Sequence, residues 1–466
     1  MRSITSSTLS ELAERMAARS LSSEEITEAF LDRIARLDSG LGAFVEVYQE
    51  AARAQARAAD LELRSGFRRS ALHGVPVAIK DLCEIEGLVT TGGSSAWRQR
   101  RSTCTSTVVE RLRAAGLIVL GKTHTVEFAY GGWGTNEFMG TPRNPWGSDG
   151  TPRVPGGSSS GSGVAVAARL APVAIGTDTG GSVRIPSSMN GLTGLKPTFG
   201  RVSNYGVVPL ARSLDTVGPL ARTAADAAMV YDLIRGSDSR DPESFRQPVR
   251  EPRLGVRPIA ALRVARMDPD QHPWPVAAEV TSAVDLAVEL LRSLGATVEN
   301  VKLPIDFGEL ARNLEVIISA EAWREHGDYI ENPDLPFSRA ARERIVRGRS
   351  VGASTYLRVQ EARESTTLRF RESLRAFDVL LTPTLPFGAP RVDEVDESIT
   401  PMSVFTRPVN YLGGCAISLP CGFDGSGMPL GVQLIAAPWQ EELLLSVGAE
   451  FQRASDWHLY APPGLA

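Results

Sequence analysis

The chain has 466 residues, of which 42% are hydrophobic and 22% are charged, and its formal net charge is -4. This composition is typical of a globular protein, and without an excess of positive charge it gives no reason to expect direct binding to nucleic acid. The first residues contain no apolar core of signal-peptide length, and no run of about 18 apolar residues occurs, so neither a signal peptide nor a membrane span is predicted. The four cysteines lack the spacing of a metal site, which predicts a reduced, cytoplasmic setting.

Helical and strand-like segments alternate along the sequence. Ser22 and Glu25 have the spacing of a capping box, and the apolar run 75–79 predicts a strand that ends at Lys80. The other predicted elements are, in chain order, helices over 8–37 (two), 48–65 and 105–115, strands at 117–120 and 173–177, helix 222–235, strand 263–267, helix 276–294, strand 296–301, helices across 305–376, strand 379–381, helix 402–412, strands 416–419 and 432–435, and helix 440–453. A connector rich in proline and arginine is predicted over 237–260. The alternation predicts an α/β/α layered fold.

Residues 155–200 contain two turns rich in glycine and serine, 156–161 and 180–182. Between them lie a small-residue apolar run, 164–170, and the predicted strand at 173–177. Glycine adopts backbone angles that other residues resist, and it lets a substrate approach the main chain closely. A serine just after paired glycines therefore presents a hydroxyl together with free N–H groups. Those groups can attack a carbonyl and hold the oxyanion that results.

A serine nucleophile needs a base, and the sequence offers two kinds. The string 157–161 matches the G-x-S-x-G nucleophile elbow, which would require a histidine and an acid downstream. A tract rich in glycine and serine also matches that pattern by chance. Three of the five histidines follow this string, and none of the three lies in a motif-like setting. The five are His73, His124, His272, His326 and His458.

Lysine usage indicates the other kind of base. The chain has 50 lysines and arginines in total, of which only four are lysines, at positions 80, 122, 196 and 302. Arginine stays charged in proteins, whereas a lysine amine loses its proton when it is desolvated. Lys80 closes a predicted buried strand, where its pKa can fall far enough for it to act as a base. Lys122 is predicted to have a structural role.

Several stretches of this sequence resemble the amidase signature family. The resemblance runs from near residue 20 to the end and is weakest between about 235 and 375. The similar stretches are HGVPVAIKD (73–81), RNPW (143–146), PGGSSSGS (155–162), GTDTGGSVRIPSSMNGLTGLKPTFGRVS (176–203), SLDTVGPLAR (213–222), AISLPCGF (416–423) and GVQLIA (431–436).

The resemblance implies a single domain over residues 1–466 with a large mixed β-sheet covered by helices. The core of the family's signature would occupy about 73–222. The helical segment at about 305–376 would cap the site and decide substrate choice. A homodimer stays open.

The resemblance also implies a catalytic triad. Ser182 corresponds to the family's acylated nucleophile, and Lys80 corresponds to its general base. Ser158 corresponds to the serine that bridges the two, and the peptide bond that precedes it is cis in the family. The oxyanion hole would consist of the backbone N–H groups of Thr179, Gly180, Gly181 and Ser182.

Residues around this triad have predicted supporting roles. In the family, the loop that contains Tyr130 and Gly131 lines the acyl side of the site. Tyr130 and Trp133 could form an apolar wall for the substrate, or they could pack their loop onto the core. Asp178 and Arg184 flank Ser182 and carry opposite charges, so we expect them to support each other and fix the turn.

The sequence therefore predicts an amidase that cleaves the C–N bond of a small or medium-sized carboxamide, anilide or carbamate-like substrate through an acyl-enzyme. It contains no phosphate loop, dinucleotide motif or metal cluster, so no cofactor is expected. An alternative is the glutaminase subunit of a glutamyl-tRNA(Gln)-type amidotransferase, which would release ammonia to a partner. A catalytically inactive binding protein of the same fold is disfavoured because Lys80, Ser158 and Ser182 are all present.

Overall fold

The computed structural model describes residues 3–147, 150–247 and 258–465. The helices are α1 (Leu9–Ala17), α2 (Ser23–Leu41), α3 (Gln49–Arg64), α4 (Thr107–Ala114), α5 (Ser160–Ala167), α6 (Arg184–Met189), α7 (Ala224–Ile234), α8 (Ala278–Ser293), α9 (Phe307–Ile330), α10 (Arg339–Arg347), α11 (Ala353–Ser373), α12 (Arg407–Tyr411) and α13 (Glu441–Arg453). The strands are β1 (Phe44–Val47), β2 (Pro76–Lys80), β3 (Ile118–Thr123), β4 (Val173–Asp178), β5 (Thr193–Lys196), β6 (Thr216–Ala221), β7 (Arg263–Met267), β8 (Thr297–Val301), β9 (Val379–Pro383), β10 (Cys415–Phe423) and β11 (Pro429–Ala436).

All of these strands belong to one mixed sheet, in the order β1-β3-β2-β4-β6-β5-β10-β11-β9-β7-β8. Strand β2 pairs in parallel with β3 and β4, and β7 pairs in parallel with β8 and β9. The strands between these two parallel groups pair antiparallel. The large mixed sheet that the sequence predicted is therefore confirmed.

Helices cover both faces of the sheet. Successive strand residues point to opposite sides, so buried strands present apolar side chains on both faces. On β9, Leu381 packs in the apolar cluster that includes residues of α8 and α13, whereas its neighbour Leu380 packs in the cluster that includes residues of α9. Leu434 and Ile435 divide in the same way on β11. The layered α/β/α arrangement follows from this alternation.

Most predicted elements are present, and those that the sequence missed have short or unusual patterns. Strands β1, β5 and β6 and helices α5 and α6 were not predicted. Strand β6 contains Pro219, which lacks an N–H to donate and argues against a central strand. Helix α6 has six residues and also contains a proline. The predicted helix over 402–412 is limited to α12.

Two further predictions concern local structure. The capping box at Ser22 and Glu25 is formed: the N–H of Glu25 donates to Ser22 Oγ at 3.1 Å, and the N–H of Ser22 donates to Glu25 Oε2 at 2.8 Å. Residues 248–257 of the predicted connector lie outside the described residues. Within the part of the chain that the structure describes, no helix is long and apolar enough to cross a membrane.

Candidate active site

Lys80 reaches the site from the end of β2. Strand β4 runs parallel beside β2, with Ile79 paired to Ile175, so the carboxyl ends of the two strands meet at one edge of the sheet. The Lys80 side chain is fully buried. Its Nζ atom lies 2.7 Å from Ser158 Oγ and 2.7 Å from Thr177 Oγ1. Two hydroxyl groups are therefore the hydrogen-bonding partners of the amine among the described residues.

Burial lowers the pKa of Lys80 from its ordinary value of 10.5 to about 7. Removing water disfavours the charged ammonium, and the nearby Cys83, Asp178 and Asp215 offset this effect only in part. A substantial fraction of Lys80 is therefore neutral at neutral pH, and a neutral amine can accept a proton.

The turn that contains Ser158 is held against the neighbouring 131–134 loop. The Gly157 N–H donates to the Gly132 oxygen at 2.7 Å, and the Gly156 N–H donates to the Trp133 oxygen at 3.1 Å. The peptide bond between Gly157 and Ser158 is cis. Helix α5 begins two residues after Ser158. These contacts fix the backbone from which the Ser158 side chain approaches Lys80.

The loop between β4 and α6 contains Ser182 and is shaped by Asp178. Its carboxylate accepts hydrogen bonds from the N–H groups of Gly181 at 2.8 Å and Val183 at 3.2 Å. It also forms a fully buried ion pair with Arg184, at 2.8 Å. Burial alone would raise the pKa of Asp178, but the charge and hydrogen bonds of Arg184 outweigh it and lower the pKa to about 2. Asp178 therefore stays ionised and holds the loop.

Elements from the C-terminal part of the chain complete this support. The Arg184 guanidinium donates to Gln433 Oε1 at 2.7 Å and to Asn410 Oδ1 at 2.6 Å. Thr406 Oγ1 donates to the Gly180 oxygen at 2.7 Å. Gly181 has φ of +132°, and a Cβ atom there would collide with Thr406 Oγ1. Glycine is therefore required at position 181 both for its backbone angle and for space.

Ser182 opens onto a cavity of about 210 Å³. No histidine lines this cavity among the described residues. The lining comprises backbone and hydroxyl groups, apolar side chains and four charged side chains: Ala129, Tyr130, Gly131, Gly132, Thr179, Gly180, Ser182, Ile185, Leu210, Glu315, Ile318, Arg344, Arg347, Ser398, Thr400, Ser403 and Arg407. A small molecule in this space would lie against both the Ser182 hydroxyl and the backbone of Thr179 and Gly180.

The model of the Amidase family matches residues 25–445. The chain belongs to the amidase family. A curated relative from Cupriavidus necator, which is one subunit of its Glutamyl-tRNA(Gln) amidotransferase, is 38% identical to this chain over 494 residues that cover 97% of both proteins.

Solved structures agree with this family membership. The native peptide amidase from Stenotrophomonas maltophilia has a TM-score of 0.85 and 30% identity, and the match covers 98% of each chain. A structure described as a vestigial protein complex that reveals the origins of an s-triazine catabolic enzyme has a TM-score of 0.87 and 32% identity. That match covers 96% of this chain and 98% of the other. The resemblance that the sequence motifs indicated is therefore confirmed.

In this amidase-family chain, the predicted catalytic residues lie at one site. Lys80 contacts Ser158 directly, and the N–H of Ser159 donates to the backbone oxygen of Ser182 at 3.3 Å. The Ser182 hydroxyl makes no hydrogen bond with the residues that the structure describes. The proton path from Ser182 to Ser158 therefore stays a prediction.

The predicted oxyanion hole needs one correction. The N–H of Gly181 already donates to Asp178, so it is not free to bind an oxyanion in this arrangement. The N–H groups of Thr179, Gly180 and Ser182 have no acceptor within the described ranges. Three of the four predicted donors are therefore unoccupied.

Only some of the residues that were predicted to contact the substrate line the cavity. Tyr130 and Gly131 line it, but Trp133 does not. The Trp133 indole packs in a separate apolar cluster, and its Nε1 donates to the backbone oxygens of Asp396 and Ile399, both at 3.1 Å. Trp133 therefore anchors its loop to the 396–399 segment, which is the packing alternative.

Sequence reasoning missed two threonines and the charges of the cavity. Thr177 is the second partner of the Lys80 amine, and the parallel pairing of β2 with β4 was the signal that could have placed it there. Thr406 contacts the 178–184 loop from more than 200 positions away, and no local pattern indicates that contact. The charged lining residues come from α9, α10 and α12, where the family resemblance is weak or the element is short.

The Asp178–Arg184 pair gives a prediction about stability. Asp178→Asn leaves the Arg184 charge buried and unpaired, so we expect the free energy of unfolding to fall by about 3–5 kcal/mol in urea titrations. The control is Glu289→Gln, which breaks an exposed pair with Arg292 and should cost less than about 1 kcal/mol. Equal losses in both variants would show that the buried pair does not hold the loop.

Proposed function

We propose that this protein cleaves the C–N bond of a primary carboxamide through an acyl-enzyme on Ser182. The observation that supports this most strongly is the contact of Nζ of the buried Lys80 with Ser158 Oγ at 2.7 Å, in a site where burial lowers the lysine pKa to about 7. A hydroxyl is a poor nucleophile until a base removes its proton. The neutral amine supplies that base.

In the acylation step, Ser182 attacks the substrate carbonyl carbon. Its proton passes to Ser158, and the Ser158 proton passes to Nζ of Lys80. The carbonyl oxygen becomes an oxyanion and is stabilised by the free N–H groups of the 179–182 loop. Asp178 contributes indirectly, because it fixes that loop through Gly181 and Val183.

Collapse of the tetrahedral intermediate breaks the C–N bond. Lys80 returns its proton through Ser158 to the departing nitrogen, which leaves as ammonia when the substrate is a primary amide. Water then attacks the acyl-Ser182 ester. This second step releases a carboxylic acid and restores the serine hydroxyl, so the net reaction is amide plus water to acid plus ammonia.

The second candidate is a glutaminase subunit that works with a partner protein. The sequence prediction placed a free-standing amidase first, but the curated relatives support this alternative better, since the similar Cupriavidus necator protein is one subunit of a Glutamyl-tRNA(Gln) amidotransferase. Ammonia release from glutamine that appears only after co-purification with a second protein would favour it. Hydrolysis by the isolated chain would favour the free-standing enzyme.

The nucleophile is tested by covalent labelling. A fluorophosphonate should label the protein at one site per chain, on Ser182, because among the serines that the structure describes only this one combines the proposed relay with an opening to the cavity. Peptide mass spectrometry locates the label. Ser182→Ala should abolish both labelling and turnover, whereas Ser187→Ala, on the following helix, should keep both. Normal turnover by Ser182→Ala would end this mechanism.

The base is tested by the pH dependence of kcat/KM. Because only neutral Lys80 accepts a proton, and its pKa is about 7, activity should rise as pH increases through 7 and then level off. Lys80→Ala should lower kcat by about 10²- to 10⁴-fold and remove this limb of the profile. A wild-type rate that is flat between about pH 5 and 9 would exclude Lys80 as the titrating base.

A further inference from the structure

The cavity at Ser182 contains more positive than negative charge. Its four charged lining residues are Glu315, Arg344, Arg347 and Arg407. Arg344 forms an ion pair with Glu397 at 2.6 Å, so its charge is compensated outside the lining. Arg407 forms an ion pair with Glu315 at 2.8 Å. These two pairs account for three of the four charged side chains.

Arg347 is the remaining charge. It lies at the end of α10 and is exposed, and its guanidinium has no hydrogen-bond or ion-pair partner among the described residues. Burial raises the pKa of the Glu315 carboxyl, but the surrounding groups outweigh it and lower the pKa. Arg347 contributes to this lowering, after the larger effects of Arg407, Tyr130 and Arg344. Arg347 is therefore free to pair with an anion that enters the cavity.

Glu315 is the one acid of the cavity lining within the described ranges; its Oε1 accepts a hydrogen bond, whereas its Oε2 takes part in an ion pair but accepts no hydrogen bond from the described residues. Tyr130 donates its hydroxyl to Oε1 at 2.8 Å, and Arg407 lies 2.8 Å from Oε2. The Arg407 side chain is only 16% exposed and packs beside Gly180 of the 178–184 loop. A substrate ammonium group would therefore meet three arginines, and the one carboxylate of the lining is already ion-paired with Arg407.

We propose that this cavity selects an amide whose acyl chain ends in one carboxylate, with Arg347 as its ion-pair partner and Arg407 as a second cationic neighbour. Three arginines against Glu315 and the Glu397 that pairs with Arg344 leave one net positive charge, which complements one negative charge on the substrate. The proposal rests on the proposed function, because it assigns the acyl group that Ser182 receives. It implies that an α-ammonium group, such as that of glutamine, hinders binding.

Three primary amides of matched length test this selection. Glutaramate has a terminal carboxylate and no amine, glutamine has both, and pentanamide has neither. We expect kcat/KM for glutaramate to exceed the value for each of the other two by about tenfold or more, as one charge-assisted contact allows. This preference should weaken as ionic strength rises, because Arg347 is exposed and its charge is screened.

Substitutions then assign the preference to Arg347. In Arg347→Gln, the ratio of kcat/KM for glutaramate to that for pentanamide should fall about tenfold, and Arg347→Lys should recover most of the loss. The matched control is Arg349→Gln. Arg349 is a neighbouring exposed arginine that pairs with Glu331 and is not part of the cavity lining. This control should leave the ratio unchanged.

Different outcomes separate this proposal from the proposed function. Equal kcat/KM for glutaramate and pentanamide, a preference for glutamine, or an unchanged ratio in Arg347→Gln would overturn the carboxylate site. A protein whose Ser182 is labelled by fluorophosphonate but that hydrolyses none of the three amides would also overturn it. Failure of Ser182 to label would instead overturn the acyl-enzyme mechanism itself.

Discussion

The site depends on a buried amine that has no carboxylate to hold its charge. Lys80 and Lys122 lie on neighbouring strands and are both buried, yet their surroundings differ. Lys122 forms an ion pair with Asp81 at 3.1 Å. Nζ of Lys80 contacts only the hydroxyls of Ser158 and Thr177 within hydrogen-bonding distance among the described residues. No ion pair therefore offsets desolvation at Lys80, where nearby charges oppose it only in part, and this difference suits Lys80 to the proposed role of base.

The 178–184 loop, which contains Ser182, depends on distant parts of the chain as much as on its own sequence. Asp178 shapes the loop from within, but the Arg184 that pairs with it is held by side chains of α12 and β11. The central antiparallel strands bring these elements to the carboxyl ends of β2 and β4. The proposed nucleophile, base and oxyanion donors are thus positioned by one continuous sheet, which suits a mechanism that needs fixed geometry.

The sequence could predict the layered fold and the residues of the Lys80–Ser158 contact, because both have strong local signals. This chain uses mainly arginine for its positive charge. The three lysines at 80, 122 and 196 are all buried. Trp133 was ambiguous because an aromatic side chain on a glycine-rich loop suits either a cavity or a core. The cavity charges at 315, 347 and 407 come from three separate helices, and only their packing brings them to one place.

The most direct measurement of the central claim is the titration of Lys80 itself. The chain has only four lysines, so NMR of protein labelled with ¹³C at the lysine Cε positions gives few signals, and the signal lost in Lys80→Met belongs to Lys80. The account predicts that this signal titrates with a pKa near 7, in agreement with the lowering to about 7 caused by burial. A Lys80 signal that stays characteristic of an ammonium group up to about pH 10 would contradict it.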